Sequence, residues 1–374
     1  MSEFKGSIAQ VNVQFPIETV ITPIAGENYS RAIIYMPVSA AATYLPGVDS
    51  ATAGTVVTVL SSSYGTVTGG LLKTWLKPFF DSATAATVYV AIYDDDAEAT
   101  TNTIALVYEA TKMLAYFKFG IAESAAYNAL QTSLATACLP DALYSQLWVG
   151  TSDTNVLTST SALITALNTA GADARVVYNP DATINPALAQ LGRTLSVANS
   201  TGTPIGNSID MVAFNTIGAS GADDASGNPT NLNATQKSAL DAQKIGYNTW
   251  VGDGTENVVT EGSLTLKGNS VGAQWVEHYI EYVCKVRTSS FISQMNRFRN
   301  NEQYQAILLI LSDVVRPFVN LGRLDNFAIT APTFRELPAS ADGITVPNAW
   351  EAEYIDNIRT VTVYGTLYVT APSK

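Results

Sequence analysis

The residues able to do chemistry are few and scattered. The single histidine, His278, stands among Trp275, Tyr279 and Glu281 on a stretch of helical spacing. A histidine acts as general base or metal ligand only beside a nucleophile or further ligands. None is close in sequence, so His278 reads as structural. Cys138 and Cys284 lie far apart in apolar surroundings and read as buried free thiols rather than a disulfide. One histidine and two cysteines leave no multi-histidine metal site and no base for most catalytic triads. The run Asp94-Asp-Asp-Ala-Glu98 suggests a Ca²⁺ loop. It lacks the glycine of the sixth position, however, and Ala105 stands where the twelfth requires glutamate. It reads as an exposed acidic turn. Tyr279 and Tyr282 could frame an aromatic cage for a cation, but their spacing fits a half-buried packing or interface face. Phosphate-loop, dinucleotide-binding and GxSxG patterns are missing. No catalytic residue, cofactor or metal is expected.

Composition narrows the class further. Of 374 residues, 14% are charged, against roughly 25% in ordinary soluble chains. The hydrophobic share is 47% and mean hydropathy is +0.13. The difference is made up by Thr, Ser and Asn. Net charge is −12, which argues against nucleic acid as a partner, since phosphate binding needs clustered Lys and Arg. No apolar run approaches the roughly 20 residues of a bilayer span, and MSEFKGSIAQ lacks the pattern of a signal peptide. A membrane partner is therefore not expected either.

The elements that position these residues fall into two groups. Residues 7–17 alternate, with Val11, Val13 and Phe15 on one face, and read as a strand at 1–20 with no local partner. From Arg31 the pattern is mixed α/β. Strands are expected at Ala32–Met36, Thr87–Tyr93, Ile104–Tyr108, Leu147–Gly150, Arg175–Tyr178 and Ile209–Phe214. Helices are expected at Leu71–Phe80 (kinked or ended by Pro78), Ser124–Ala137, Ser161–Thr169 and Pro186–Val197. The strand–helix–strand–helix order over 147–197 predicts parallel pairing. The loop Gly218–Asn231 is the expected boundary, giving an α/β unit over 21–230.

Beyond it come a helix at Leu232–Ala242 with Asn233 as N-cap, stopping at Gly246, and a helical stretch over Val271–Arg299. Next is a helix at Asn301–Leu321, striped by Tyr304, Leu308, Leu311, Val315 and Phe318, bent by Pro317 and ended by Gly322. This predicts an α+β unit over 231–358. The chain closes on RTVTVYGTLYVT, in which Val361, Val363, Leu367 and Val369 alternate with polar or aromatic residues, a strand at 359–374. Residues 1–235 carry 8 basic and 18 acidic side chains and residues 236–374 carry 12 and 14. Lys285, Arg287, Arg297 and Arg299 stand in a stretch free of acid, which reads as a solvated helix face or an interaction stripe. The two terminal strands could pair with each other and close one sheet. Each could instead add to the sheet of a neighbouring subunit, with main-chain hydrogen bonds supplying affinity.

The second half resembles a known family. The segment LNATQKSALDAQKIGYN, Leu232–Asn248, with its turn Ile245-Gly-Tyr-Asn248 before Thr249-Trp-Val251, resembles the lead-in to the C-terminal domain of contractile phage tail sheath proteins. A stretch with Gly262 and Gly268, the helix QWVEHYIEYVCKVRTSSFI, a second helix ended by Gly322 and a final strand pair follow in the order of that family. The resemblance covers about residues 230–374 and, by position, the strand at 7–15.

It implies an N-terminal mixed α/β outer domain and a C-terminal α+β inner domain whose sheet is completed by the terminal arms of neighbouring subunits. It implies a structural protein that polymerises with itself into stacked rings around a tail tube protein, bounded by baseplate and tail terminator proteins. Contraction drives the tube into the target cell without nucleotide. Val11, Val13, Phe15, Val361, Val363, Leu367 and Val369 would then be strand-addition residues, and Lys285, Arg287, Arg297 and Arg299 a tube-facing stripe. The place implied is the tail of a virion, after assembly in the host cytoplasm. A sheath of a bacteriocin or secretion-type system has the same signature. The reading from another class is an α/β enzyme or ligand-binding protein built on residues 147–214.

Overall fold

The computed structural model describes residues 2–6, 27–48, 52–83, 86–96, 98–120, 127–139, 145–158, 161–201, 217–222, 225, 230–250, 258–262, 264–294, 301–336 and 349–355. The architecture is mixed α/β. A six-stranded sheet is built from β2 (Ala32–Pro37), β3 (Val56–Leu60), β4 (Thr87–Tyr93), β5 (Phe117–Gly120), β6 (Gln146–Thr151) and β7 (Arg175–Tyr178), in the order β3-β4-β2-β5-β6-β7. All pairings are parallel except β3 with β4. Counted in chain order, the five parallel strands run 2-1-3-4-5, a doubly wound arrangement.

Such a sheet is covered on both faces, so its strands should be apolar on both sides. In β2, Ala32, Ile34 and Met36 enter one buried cluster while Ile33 and Tyr35 enter the other. On the first face lie α1 (Val38–Tyr44), α2 (Gly70–Ser82) and α6 (Pro186–Thr201). The second is covered by α3 (Ile104–Thr111), α4 (Tyr127–Cys138), α5 (Ala162–Thr169) and α7 (Ala234–Gln243).

Some expectations change. Ile104–Tyr108 is helical: Ile104, Val107, Tyr108 and Thr111 follow the i, i+3, i+4, i+7 spacing, and the last three are buried. A short apolar run cannot by itself distinguish strand from helix. Pro78 neither ends nor breaks α2, which continues to Ser82. Phe79 and Phe80 beyond it are buried, and burying two such rings, at about 2 kcal/mol each, offsets the roughly 3 kcal/mol cost of an internal proline.

The helix ends are locally encoded. Asn233 caps α7 through a reciprocal box, its Oδ1 accepting from Gln236 N (2.9 Å) while Gln236 Oε1 accepts from Asn233 N (3.0 Å). The helix stops at Lys244 rather than Gly246. Lys244 is left-handed (φ 61°), and its N–H and that of Ile245 bond to Asp241 O and Leu240 O. Gly246 instead carries the chain onto the sheet edge: its N–H donates to Val176 O and its carbonyl accepts from Tyr178 N. A side chain there would overlap the fully buried Arg175 guanidinium, which donates to Leu264 O (3.2 Å) and Gln190 Oε1 (3.3 Å).

After Gly246, β8 (Tyr247–Trp250) pairs antiparallel with β9 (Val258–Glu261). α8 (Val271–Gln294) and α9 (Asn301–Asn320) follow, and a smaller sheet is ordered β1-β11-β10 from Ser2–Gly6, Trp350–Tyr354 and Leu324–Ile329. Pro317 lies inside α9, which closes at Gly322 (φ 64°) with Gly322 N on Val319 O and Arg323 N on Phe318 O. Residues on both sides of the 218–231 loop share cores. Leu232, Leu240, Ile245 and Tyr247 pack with β6 and β7, and Trp275, Ile280, Val315, Trp350 and Tyr354 join the cluster on the other sheet face.

Candidate functional site

α8 lays its apolar face on the sheet and brings His278 against β5 and the segment before it. His278 Nδ1 lies 2.7 Å from Tyr116 Oη, and the backbone carbonyl of His278 accepts from Tyr29 Oη at 3.1 Å. Tyr29 stacks on Tyr116 with centroids 4.6 Å apart, and Trp275 donates its indole N–H to Tyr29 O at 3.1 Å. Burial pushes His278 down to about 4, so the ring is neutral at pH 7 and bonded to a phenol that burial keeps protonated. This is a clamp between helix and sheet. Tyr279 and Tyr282 join the same aromatic cluster through Tyr29, as packing rather than a cage. Cys138 and Cys284 are buried thiols outside any disulfide, and burial raises the Cys284 thiol to about 12, far from the reactive thiolate. Among the described residues no group of three or more His, Cys, Asp or Glu could hold a metal ion. No helix among them is long and apolar enough to cross a membrane.

In a 2-1-3-4-5 sheet a ligand would enter where the strand order reverses, at the carboxyl ends of β2 and β5. There Tyr35, Tyr93 and Tyr108 are buried and Tyr35 Oη lies 3.0 Å from Thr111 Oγ1. The acidic turn at the end of β4 uses its carboxylates locally. Asp94 Oδ1 accepts from Asp96 N, Asp96 Oδ1 from Glu98 N (both 3.0 Å), and Asp95 from Ser39 Oγ.

What remains are surfaces and strand edges. Strand-addition residues Val11, Val13, Phe15, Val361, Val363, Leu367 and Val369 lie outside the described residues, as do Arg297 and Arg299. Lys285 is half-buried and Arg287 exposed on α8. Two positions apart, they are rotated about 200° around the helix and do not form one row. Sequence reasoning passed over Glu277 and Glu281, one turn apart on α8. Burial holds both carboxyls up, Glu281 to about 7 with help from the neighbouring Glu277 charge. The Glu-x-x-x-Glu spacing was the available signal. The expected terminal strands did not include Ser2–Gly6 paired with Trp350–Tyr354 in the small sheet. In that sheet β1 pairs with β11 in five consecutive antiparallel steps, from Ser2 opposite Tyr354 to Gly6 opposite Trp350. β10 pairs on the other side of β11 with a register shift between Asp325 and Ala328.

No protein-family profile matches this chain, and no curated protein matches it in sequence. Solved structures do match. The chain is similar to one in the cryo-EM structure of the anti-feeding prophage helical sheath in the contracted state, with TM-score 0.65 and 10% identity over 90% of this chain and 93% of that one. It is also similar to a chain in the 6-fold symmetrised structure of the anti-feeding prophage baseplate, with TM-score 0.62 and 10% identity over 91% and 94%. The fold is therefore sheath-like, a mixed α/β unit with its accompanying helices, along nearly the whole chain.

Proposed function

We propose that this chain is the sheath subunit of a contractile, tail-like machine, polymerising with itself into a cylinder around a tube. The observation that carries this reading is the sheath-like fold across 90% of the chain. The small sheet with its strand edges adds support, since it suits a subunit built for assembly. The neighbouring baseplate structure supports a place near a baseplate. Both structures come from the anti-feeding prophage, so a tail-like particle stands beside a phage virion as the place of this subunit.

In finer detail, the inner, tube-facing surface would come from the half that carries α8 and α9. Of its cations, exposed Arg287, with Arg297 and Arg299, would be placed toward an acidic tube, while Lys285 lies on another side of α8. Terminal strands would tie neighbours together and keep them tied during contraction. Electron microscopy of the purified full chain tests the proposal: striated hollow cylinders are expected, and monodisperse particles at every salt and concentration tried would reject it.

A further inference from the structure

We draw no further inference here: the strongest candidate, the half-buried carboxyl pair of Glu277 and Glu281 on successive turns of α8, rests only on the raised carboxyl values already described, and nothing in the structure shows what would bind or cover it.

Discussion

At the scale of single residues the half-buried ionisable groups of α8 make opposite contributions to pH stability. His278 has its folded value lowered from 6.5 to about 4. Its contribution is present above pH 6.5 and is lost as pH falls toward 4, because the unfolded chain takes the proton first. Glu281 is raised from 4.5 to about 7, so its contribution is present below pH 4.5 and is lost as pH rises through 7. Glu281→Gln should therefore raise the urea midpoint at pH 8 and leave it unchanged below pH 4.5. The gain should be on the order of 1 kcal/mol, because the site is part-exposed and screened. An equal effect at both pH values would contradict the assignment. Tyr116→Phe removes the hydroxyl that meets His278 Nδ1 and should cost about 1–3 kcal/mol in thermal or urea unfolding, the penalty for a buried polar atom left without its partner.

At the scale of elements, close approach and capping decide how helices sit on the sheet. α6 crosses α2 at Gly192, where an added Cβ would lie 2.6 Å from the backbone oxygen of Phe79. That oxygen belongs to a helix and cannot step aside. Gly192→Ala should destabilise by about 1–3 kcal/mol despite alanine's better helix propensity. Asn233→Ala removes the acceptor of the α7 capping box and should cost about 1 kcal/mol. Urea unfolding of both variants checks the ranking, with the glycine change expected to be the more severe.

At the scale of the whole molecule, the 14% charge suits the proposed sheath subunit, which would be surrounded by its own copies. Covering many charges would be costly unless each were paired, whereas Thr, Ser and Asn can exchange partners. A chain lacking residues 1–15, or ending at Arg359, should remain folded by circular dichroism and fail to form cylinders. An unfolded product would mean that these segments complete the subunit's own core. Reversing Arg287 and Arg299 to Glu should reduce assembly on the tube while leaving subunit stability unchanged. Each pair is expected to contribute only about 0–1 kcal/mol, so the double change is the one to measure, by co-sedimentation with tube.

Local signals carried much of this fold. The buried strands β2, β4, β6 and β7, the capped start of α7 and the glycine end of α9 follow from apolar runs, an Asn-x-x-Gln box and a left-handed residue, all contained in a few neighbours. The shortage of suitable residues also led to the expectation that nucleotide and metal chemistry would play no part. Ile104–Tyr108 was ambiguous because five apolar-rich residues fit either period, and packing against the sheet chose the helix. Lys244 rather than Gly246 ended α7 because Gly246 was needed where the chain crosses Arg175. Neither the strand order 2-1-3-4-5 nor the pairing of Ser2–Gly6 with Trp350–Tyr354 is written in any local pattern. Both depend on contacts between segments distant in the chain, and the second joins residues nearly the whole chain apart. Sequence alone determined which segments could be strands and helices. Tertiary structure decided which edges met, because pairing energy lies in main-chain groups that every residue type presents alike.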